Sequence, residues 1–156
     1  MALAALLLLA ASASAACALD LIDSPGGTRL ALVPLPADQT FALAYTHSVT
    51  LRPVESRYVV RGNRMLQTAE VFDAHGPGMA TEAQPGERWE TQHAADGTRF
   101  ILHMERPMPR LVVRLHKLPA FHVRAGEQTI DLGQWDARAV ELRANCAPKS
   151  QSKAAP

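Results

Sequence analysis

The stretch YTHSVTLRPVE carries three side chains that can transfer a proton or bind a ligand, namely Tyr45, His47 and Glu55. If residues 49–53 connect two antiparallel strands, His47 lies opposite Glu55 and Tyr45 lies opposite Arg57. A proline at position 53 favours a turn there, because it keeps the residue before it out of the helical region. A histidine beside a glutamate can bind a solute, exchange a proton or hold a metal ion.

The next hairpin extends this arrangement to a third strand. Counting outward from a two-residue turn at Gly62-Asn63 pairs Glu55 with Glu70 and Arg57 with Thr68. Side chains alternate between the two faces of a strand, so these pairs share one face. The sequence therefore predicts two adjacent rows, which are His47, Glu55 and Glu70, and then Tyr45, Arg57 and Thr68. The opposite face, with Ala42, Ala44, Val54, Tyr58, Val60, Met65, Ala69 and Val71, is predicted to face the core.

Three uses of these rows stay open from the residues alone. Two glutamates opposite each other repel unless a cation lies between them, so the rows are either a charge network that holds the sheet, a binding face or a catalytic site. Nucleophilic catalysis is disfavoured because His47 and Ser48 are adjacent on a strand and point to opposite faces, and no G-x-S-x-G motif occurs. The histidines lack paired-ligand spacing. We therefore predict no catalytic residue, no metal ligand and no cofactor.

Composition limits the class of protein. The chain has 156 residues, of which 47% are hydrophobic and 20% charged, and this is typical of one folded domain with its own core. The formal net charge is +1 and no block of like charges occurs, so neither a nucleic-acid partner nor insertion of the mature domain into a membrane is expected.

Residues 1–16 are an apolar run followed by small residues, the pattern of a secretory signal peptide. We therefore expect export to the periplasm, a single β domain over residues 17–146 and a flexible tail over residues 147–156. In an oxidising compartment, Cys17 and Cys146 are predicted to form a disulfide. Lipid attachment at Cys17 is the alternative.

Turn signals divide the domain into short alternating runs. Strands are predicted over residues 18–23, 28–34, 40–48, 54–61, 64–72, 87–92, 98–104, 110–116, 120–125 and 128–132. The segment Trp135 to Leu142 fits either a last strand or a helical turn. About ten short strands joined by tight turns predict an all-β fold, either an antiparallel β-sandwich or a partly open barrel.

The motifs of the first hairpins resemble those of a known family. FALAYTHSV, PVE, AEVF and GPGM, between Phe41 and Met79, are similar to the bacterial family of unknown function numbered 1850. The residues that match its pattern are His47, Ser48, Val49, Pro53, Val54, Glu55, Gly76 and Gly78. Pro77 stands where the family has alanine. The resemblance implies a small exported protein associated with TRAP transporters of the TAXI class.

Two hypotheses follow from the residues and the resemblance together. The first is an exported accessory or binding module that recognises a TRAP transporter membrane subunit or a small organic solute. The second is a periplasmic hydrolase or metal-dependent enzyme that uses His47, Glu55 and Glu70. The predicted binding residues are Tyr45, His47, Ser48, Glu55, Arg57, Glu70, Gly76 and Gly78.

Overall fold

A computed structural model describes residues 17–115 and 120–147, and these residues form an all-β fold. Its strands are β1 (Cys17–Asp23), β2 (Arg29–Pro34), β3 (Thr40–Thr46), β4 (Pro53–Arg61), β5 (Arg64–Phe72), β6 (Arg88–Ala94), β7 (Gly97–Met108), β8 (Leu111–Arg114), β9 (Phe121–Ala125), β10 (Gln128–Asp131) and β11 (Ala139–Cys146). A 3-10 turn, Leu132–Gln134, lies between β10 and β11. The predicted signal peptide and all but the first residue of the predicted tail lie outside the described residues.

The strands form two antiparallel sheets. The smaller sheet has the order β2-β1-β11-β8, and the larger sheet has the order β10-β9-β3-β4-β5-β7-β6. Buried side chains of both sheets meet in one core, and these include Leu19, Leu21 and Leu142 from the smaller sheet and Phe41, Tyr58 and Val123 from the larger. The predicted β-sandwich is therefore confirmed, and the sheets do not close into a barrel.

Tight turns set the hairpins, as the sequence predicts. Gly62 and Gly126 begin two-residue turns with φ angles of 61° and 57°, and glycine adopts this left-handed conformation without a steric cost. The sequence allowed either a strand or a helical turn in the segment from Trp135 to Leu142. Its second half is a strand, because β11 begins at Ala139. Strand β3 ends at Thr46, two residues earlier than predicted.

The predicted disulfide is present. Cys17 and Cys146 lie opposite each other in the β1–β11 pair, and their sulfur atoms are 2.00 Å apart. The bond joins two positions 129 residues apart in the chain and links the first residue of β1 to the last residue of β11.

Among residues 17–115 and 120–147, the structure contains no helix with the length and hydrophobicity of a membrane span.

The larger sheet has three strands more than the smaller one. Its inner face carries Val54, Tyr58 and Val60, which are buried, and Tyr58 stacks on Phe41 with ring centroids 4.8 Å apart. Its outer face carries Glu55 and Arg57 from the same strand, because side chains alternate along β4. The outer face is therefore the surface on which the charged residues of β4 lie.

Candidate functional site

The register between β4 and β5 separates the two glutamates that were predicted to be neighbours. The turn pairs Arg61 with Arg64 as expected, but a β-bulge between Gln67 and Ala69 adds one residue to β5. Beyond the bulge, Glu55 lies opposite Val71 and not opposite Glu70. A shift of one residue moves a side chain to the other face of a sheet, so Glu55 points outward while Glu70 points inward.

The connection between β3 and β4 is also in a different register. Ala44 lies opposite Glu55 and Tyr45 lies opposite Val54, so Tyr45 shares the inner face with the buried Val54. His47 has left the strand and begins the loop, and its backbone N–H donates to the carbonyl of Arg52 at 2.8 Å. The prediction of a row formed by His47, Glu55 and Glu70 is therefore wrong.

The second predicted row, Tyr45, Arg57 and Thr68, is not formed either. Thr68 is the extra residue of the bulge, and its hydroxyl donates to the backbone carbonyl of Arg57 at 3.3 Å. Tyr45 and Arg57 lie on opposite faces. The predicted core face is divided as well, because Ala42, Ala44, Ala69 and Val71 lie on the outer face.

Glu70 lies among aromatic side chains on the inner face. Burial raises the pKa of Glu70 above its ordinary value, and the positive charge of Arg106 opposes this rise only in part. Burial, then the negative charge of Glu70, then Tyr58 raise the pKa of Tyr45 to about 12. Burial likewise raises the pKa of Tyr58, against a lowering hydrogen bond from Ser56. Glu70 is therefore a part of the interior and not of the outer surface.

His47 holds two loops together. Its Nδ1 accepts hydrogen bonds from the backbone N–H groups of Val49 and Thr50, both at 3.2 Å. Since Nδ1 is an acceptor, the ring proton is on Nε2, which donates to the carbonyl of Pro77 at 3.1 Å. The histidine of the HSV motif thus fixes the β3–β4 loop against the loop that follows β5.

The glycines of the GPGM motif allow this contact. A Cβ atom on Gly76 would lie 2.6 Å from Cγ2 of Thr50 and 3.1 Å from Cε1 of His47, so the side chain of Thr50 would have to shift. Gly78 has a φ of 83°, which favours glycine. Ser48 is exposed at the tip of the loop, beside the exposed side chains of Val49 and Leu51. Three of the eight motif residues, His47, Gly76 and Gly78, therefore hold the loops in place.

A groove lies on the outer face of the larger sheet. Its volume is about 550 Å³, within the range of sites that hold small molecules. Its apolar floor includes Ala44, Val71 and Ile101, and the last two belong to a buried apolar cluster with Ala69. The polar side chains that line it are Thr46, Glu55, Arg57, Asp73, Gln92, Arg99, His122 and Arg124.

Glu55 is at the centre of the charges in this groove. Its carboxylate accepts from Nε of Arg57 at 2.8 Å and from Nη1 of Arg124 at 3.1 Å. The side chains of these two arginines are 48% and 54% exposed, so much of each guanidinium faces the groove or solvent. Asp73, at the end of β5, forms an ion pair with Arg52.

The groove therefore combines three predicted binding residues, Tyr45, Glu55 and Arg57, with several that the sequence did not indicate. Glu55 and Arg57 were predicted, whereas Arg99, His122 and Arg124 come from β7 and β9. Arg124 is 69 residues from Glu55 in the chain, and no local pattern indicates that β9 lies beside β3. Tyr45 also contributes atoms to the lining of the groove, while Glu70 does not.

The hydrolase or metal-enzyme alternative stays a prediction, but its residues do not share a face. Glu55 and Glu70 point to opposite sides of the larger sheet, and His47 lies in a loop. Within residues 17–115 and 120–147, no group of three or more His, Cys, Asp or Glu side chains is placed to hold a metal ion.

Comparison with known proteins identifies a family and no activity. Residues 41–132 match the family model described as Domain of unknown function (DUF1850). This segment contains every residue that lines the groove and both loops joined by His47. Neither the curated proteins nor the solved structures contain a match to the chain. The matched segment excludes both cysteines of the disulfide.

Proposed function

We propose that this chain, which belongs to the DUF1850 family, is an exported binding module that holds a small organic solute in the groove on the outer face of its larger sheet. The observation that carries the proposal is the combination of an apolar floor and exposed guanidinium groups in one concavity. Val71 and Ile101 form the floor, and Arg57 and Arg124 stand beside it. Ligand sites typically combine apolar lining with a few oriented polar groups.

The floor of the groove is apolar and already largely buried. Val71 and Ile101 are only 9% and 3% exposed although they face away from the sandwich core. Arg57, Arg99 and Arg124 line the same groove as these two residues. Because so little of these two side chains is exposed, a solute gains little from covering them, and contacts with Arg57 and Arg124 must supply most of its affinity.

Export and transporter association belong to the same proposal. The disulfide between Cys17 and Cys146 supports an oxidising compartment such as the periplasm. The signal-like residues 1–16 agree with export. The resemblance to the family adds the expectation of a TRAP transporter of the TAXI class as the system that uses the solute.

A groove-filling variant tests the proposal. Ala44→Leu adds a larger side chain at a position that lines the groove, and Ala94→Leu makes the same change at an exposed position outside it. Thermal unfolding of both variants and of the original chain is measured across a library of small organic solutes. A ligand that binds only the folded protein raises the Tm.

We expect at least one solute to raise the Tm of the original chain and of the control Ala94→Leu. The same solute should not raise the Tm of Ala44→Leu. The same solute should be retained when the chain is purified together with the transporter's membrane subunit. A solute that stabilises Ala44→Leu as strongly as the original chain would place binding elsewhere. A library without any stabilising solute would count against the proposal.

A further inference from the structure

The two arginines that contact Glu55 retain hydrogen-bond donors. Arg57 uses Nε and Arg124 uses Nη1 to bind the carboxylate. In the described part of the chain, no other acceptor takes a hydrogen bond from either guanidinium. An arginine has five N–H donors in a fixed planar fork, and this fork fits a carboxylate or a phosphate.

Backbone groups do not add donors at the floor of this groove. Strands β3, β4 and β5 each have a hydrogen-bonded neighbour on both sides, so their N–H groups are used within the sheet. Sites that bind phosphate commonly use clusters of backbone N–H groups at turns and helix ends. An anionic ligand over this floor would therefore be bound by the guanidinium groups of the arginine side chains.

The charge of the groove favours an anion of low charge. Its lining carries three arginines, Arg57, Arg99 and Arg124, against the two carboxylates of Glu55 and Asp73, so the arginines exceed the carboxylates by one. A single negative charge matches this excess. Glu55, at the centre of the site, repels any anion, and it repels a dianion more strongly than a monoanion.

From these three observations we infer that the ligand of the groove is an organic monocarboxylate, whose carboxylate binds the Arg57 and Arg124 guanidinium groups while its body lies over the floor at Val71 and Ile101. This inference rests on the proposed function and adds the chemical class of the solute. The Glu55 carboxylate competes with the ligand's carboxylate, because it already accepts a hydrogen bond from each of the two arginines.

The test compares an acid with its neutral counterpart of the same shape. The 15N-labelled chain is titrated at neutral pH with benzoate, with benzamide and with inorganic phosphate, and the backbone amide and arginine Nε–H resonances are followed by NMR. Arg124→Gln removes a guanidinium from the groove. Arg110→Gln is the matched control, because Arg110 pairs with Glu141 on the smaller sheet and its side chain is 65% exposed.

Benzoate should shift the Nε–H resonances of Arg57 and Arg124 and the amides of Val71 and Ile101. We expect binding at least about tenfold weaker for benzamide and for Arg124→Gln with benzoate, because each change removes a charge-assisted hydrogen bond. Arg110→Gln should bind benzoate like the original chain. Phosphate should shift these resonances less than benzoate does.

The outcomes separate the two proposals. If benzamide binds the groove as tightly as benzoate, or if Arg124→Gln has no effect, the carboxylate inference is wrong while a binding groove remains. Stronger binding of phosphate than of benzoate also overturns the carboxylate inference. If none of the three probes shifts a groove resonance, the carboxylate inference fails, and the solute library with Ala44→Leu then decides the proposed function separately.

Discussion

Glu55 lies on the outer surface of the larger sheet, where two arginines bind its carboxylate. Its side chain is 25% exposed, and both partners are about half exposed. Ion pairs of this kind contribute little to stability because water screens them and the long side chains lose entropy. Function, and not folding, should therefore be sensitive to this carboxylate.

Replacing Glu55 with Gln should change the free energy of unfolding by less than about 1 kcal/mol. Urea unfolding at neutral pH measures this change. Leu102→Ala serves as the contrast, since Leu102 is fully buried on the inner face and its truncation should cost about 2 to 5 kcal/mol. A loss for Glu55→Gln as large as that for Leu102→Ala would mean that the charge network holds the fold.

Gly76 should not tolerate a side chain. Gly76→Ala places a methyl group against Cγ2 of Thr50, and the resulting overpacking should cost about 1 to 3 kcal/mol in the free energy of unfolding. Adding Thr50→Ser removes that Cγ2 atom and should restore part of the loss, because the contact with His47 remains. Chemical denaturation of the single and double variants checks this. Full stability of Gly76→Ala alone would contradict the close contact.

Glu70 should make stability depend on pH. Its pKa is raised in the folded state, so the native protein keeps a proton that the unfolded chain loses above its ordinary pKa of 4.5. The free energy of unfolding therefore falls as the pH rises through the interval between 4.5 and the raised value. Glu70→Gln should be more stable than the original chain at neutral pH, and this advantage should vanish below the interval. Parallel Tm measurements across pH would show it, and a constant difference would contradict the buried position.

At the scale of elements, the β3–β4 loop is fixed by one side chain. His47→Ala removes two acceptor contacts and one donor contact, so amide hydrogen exchange at Val49 and Thr50 should become faster. The matched control is His93→Ala, because His93 lies in an exposed hairpin and contacts Thr98. Unchanged exchange at Val49 and Thr50 in His47→Ala would show that the loop is held by other contacts.

The strands were more predictable than the way in which they pair. Turn residues such as Gly62 and Gly126 are local signals, and the hairpins they predict are present. The bulge at Thr68 gives no local signal, since the residues around it still alternate well enough to suggest a regular strand. That one extra residue moved Glu70 to the interior and removed the predicted row.

The groove could not be assembled from the sequence for a different reason. Arg124 reaches Glu55 because β9 pairs with β3, which is distant from it in the chain. Sequence patterns fix nearest neighbours along the chain, but they do not specify which distant strands share an edge. Glu55 and Arg57 were identified because they belong to a local hairpin.

At the scale of the whole molecule, the disulfide closes the smaller sheet. Cys17 and Cys146 lie 129 positions apart, so reducing the bond should lower the free energy of unfolding by roughly 4 to 5 kcal/mol in the chain-entropy model. Comparing the oxidised chain with Cys17→Ser/Cys146→Ser in urea tests this. Equal stability would show that pairing between β1 and β11 suffices without the bond.

The location of the bound solute decides whether the groove is the binding site. A solute that raises the Tm is titrated into the 15N-labelled chain, and the shifted backbone amides are mapped onto the fold. We predict that they cluster at Ala44, Val71 and Ile101 on the outer face of the larger sheet, with none in β1 or β11. Shifts that cluster in the smaller sheet, or at the exposed loop around Leu51, would contradict a binding site in the groove.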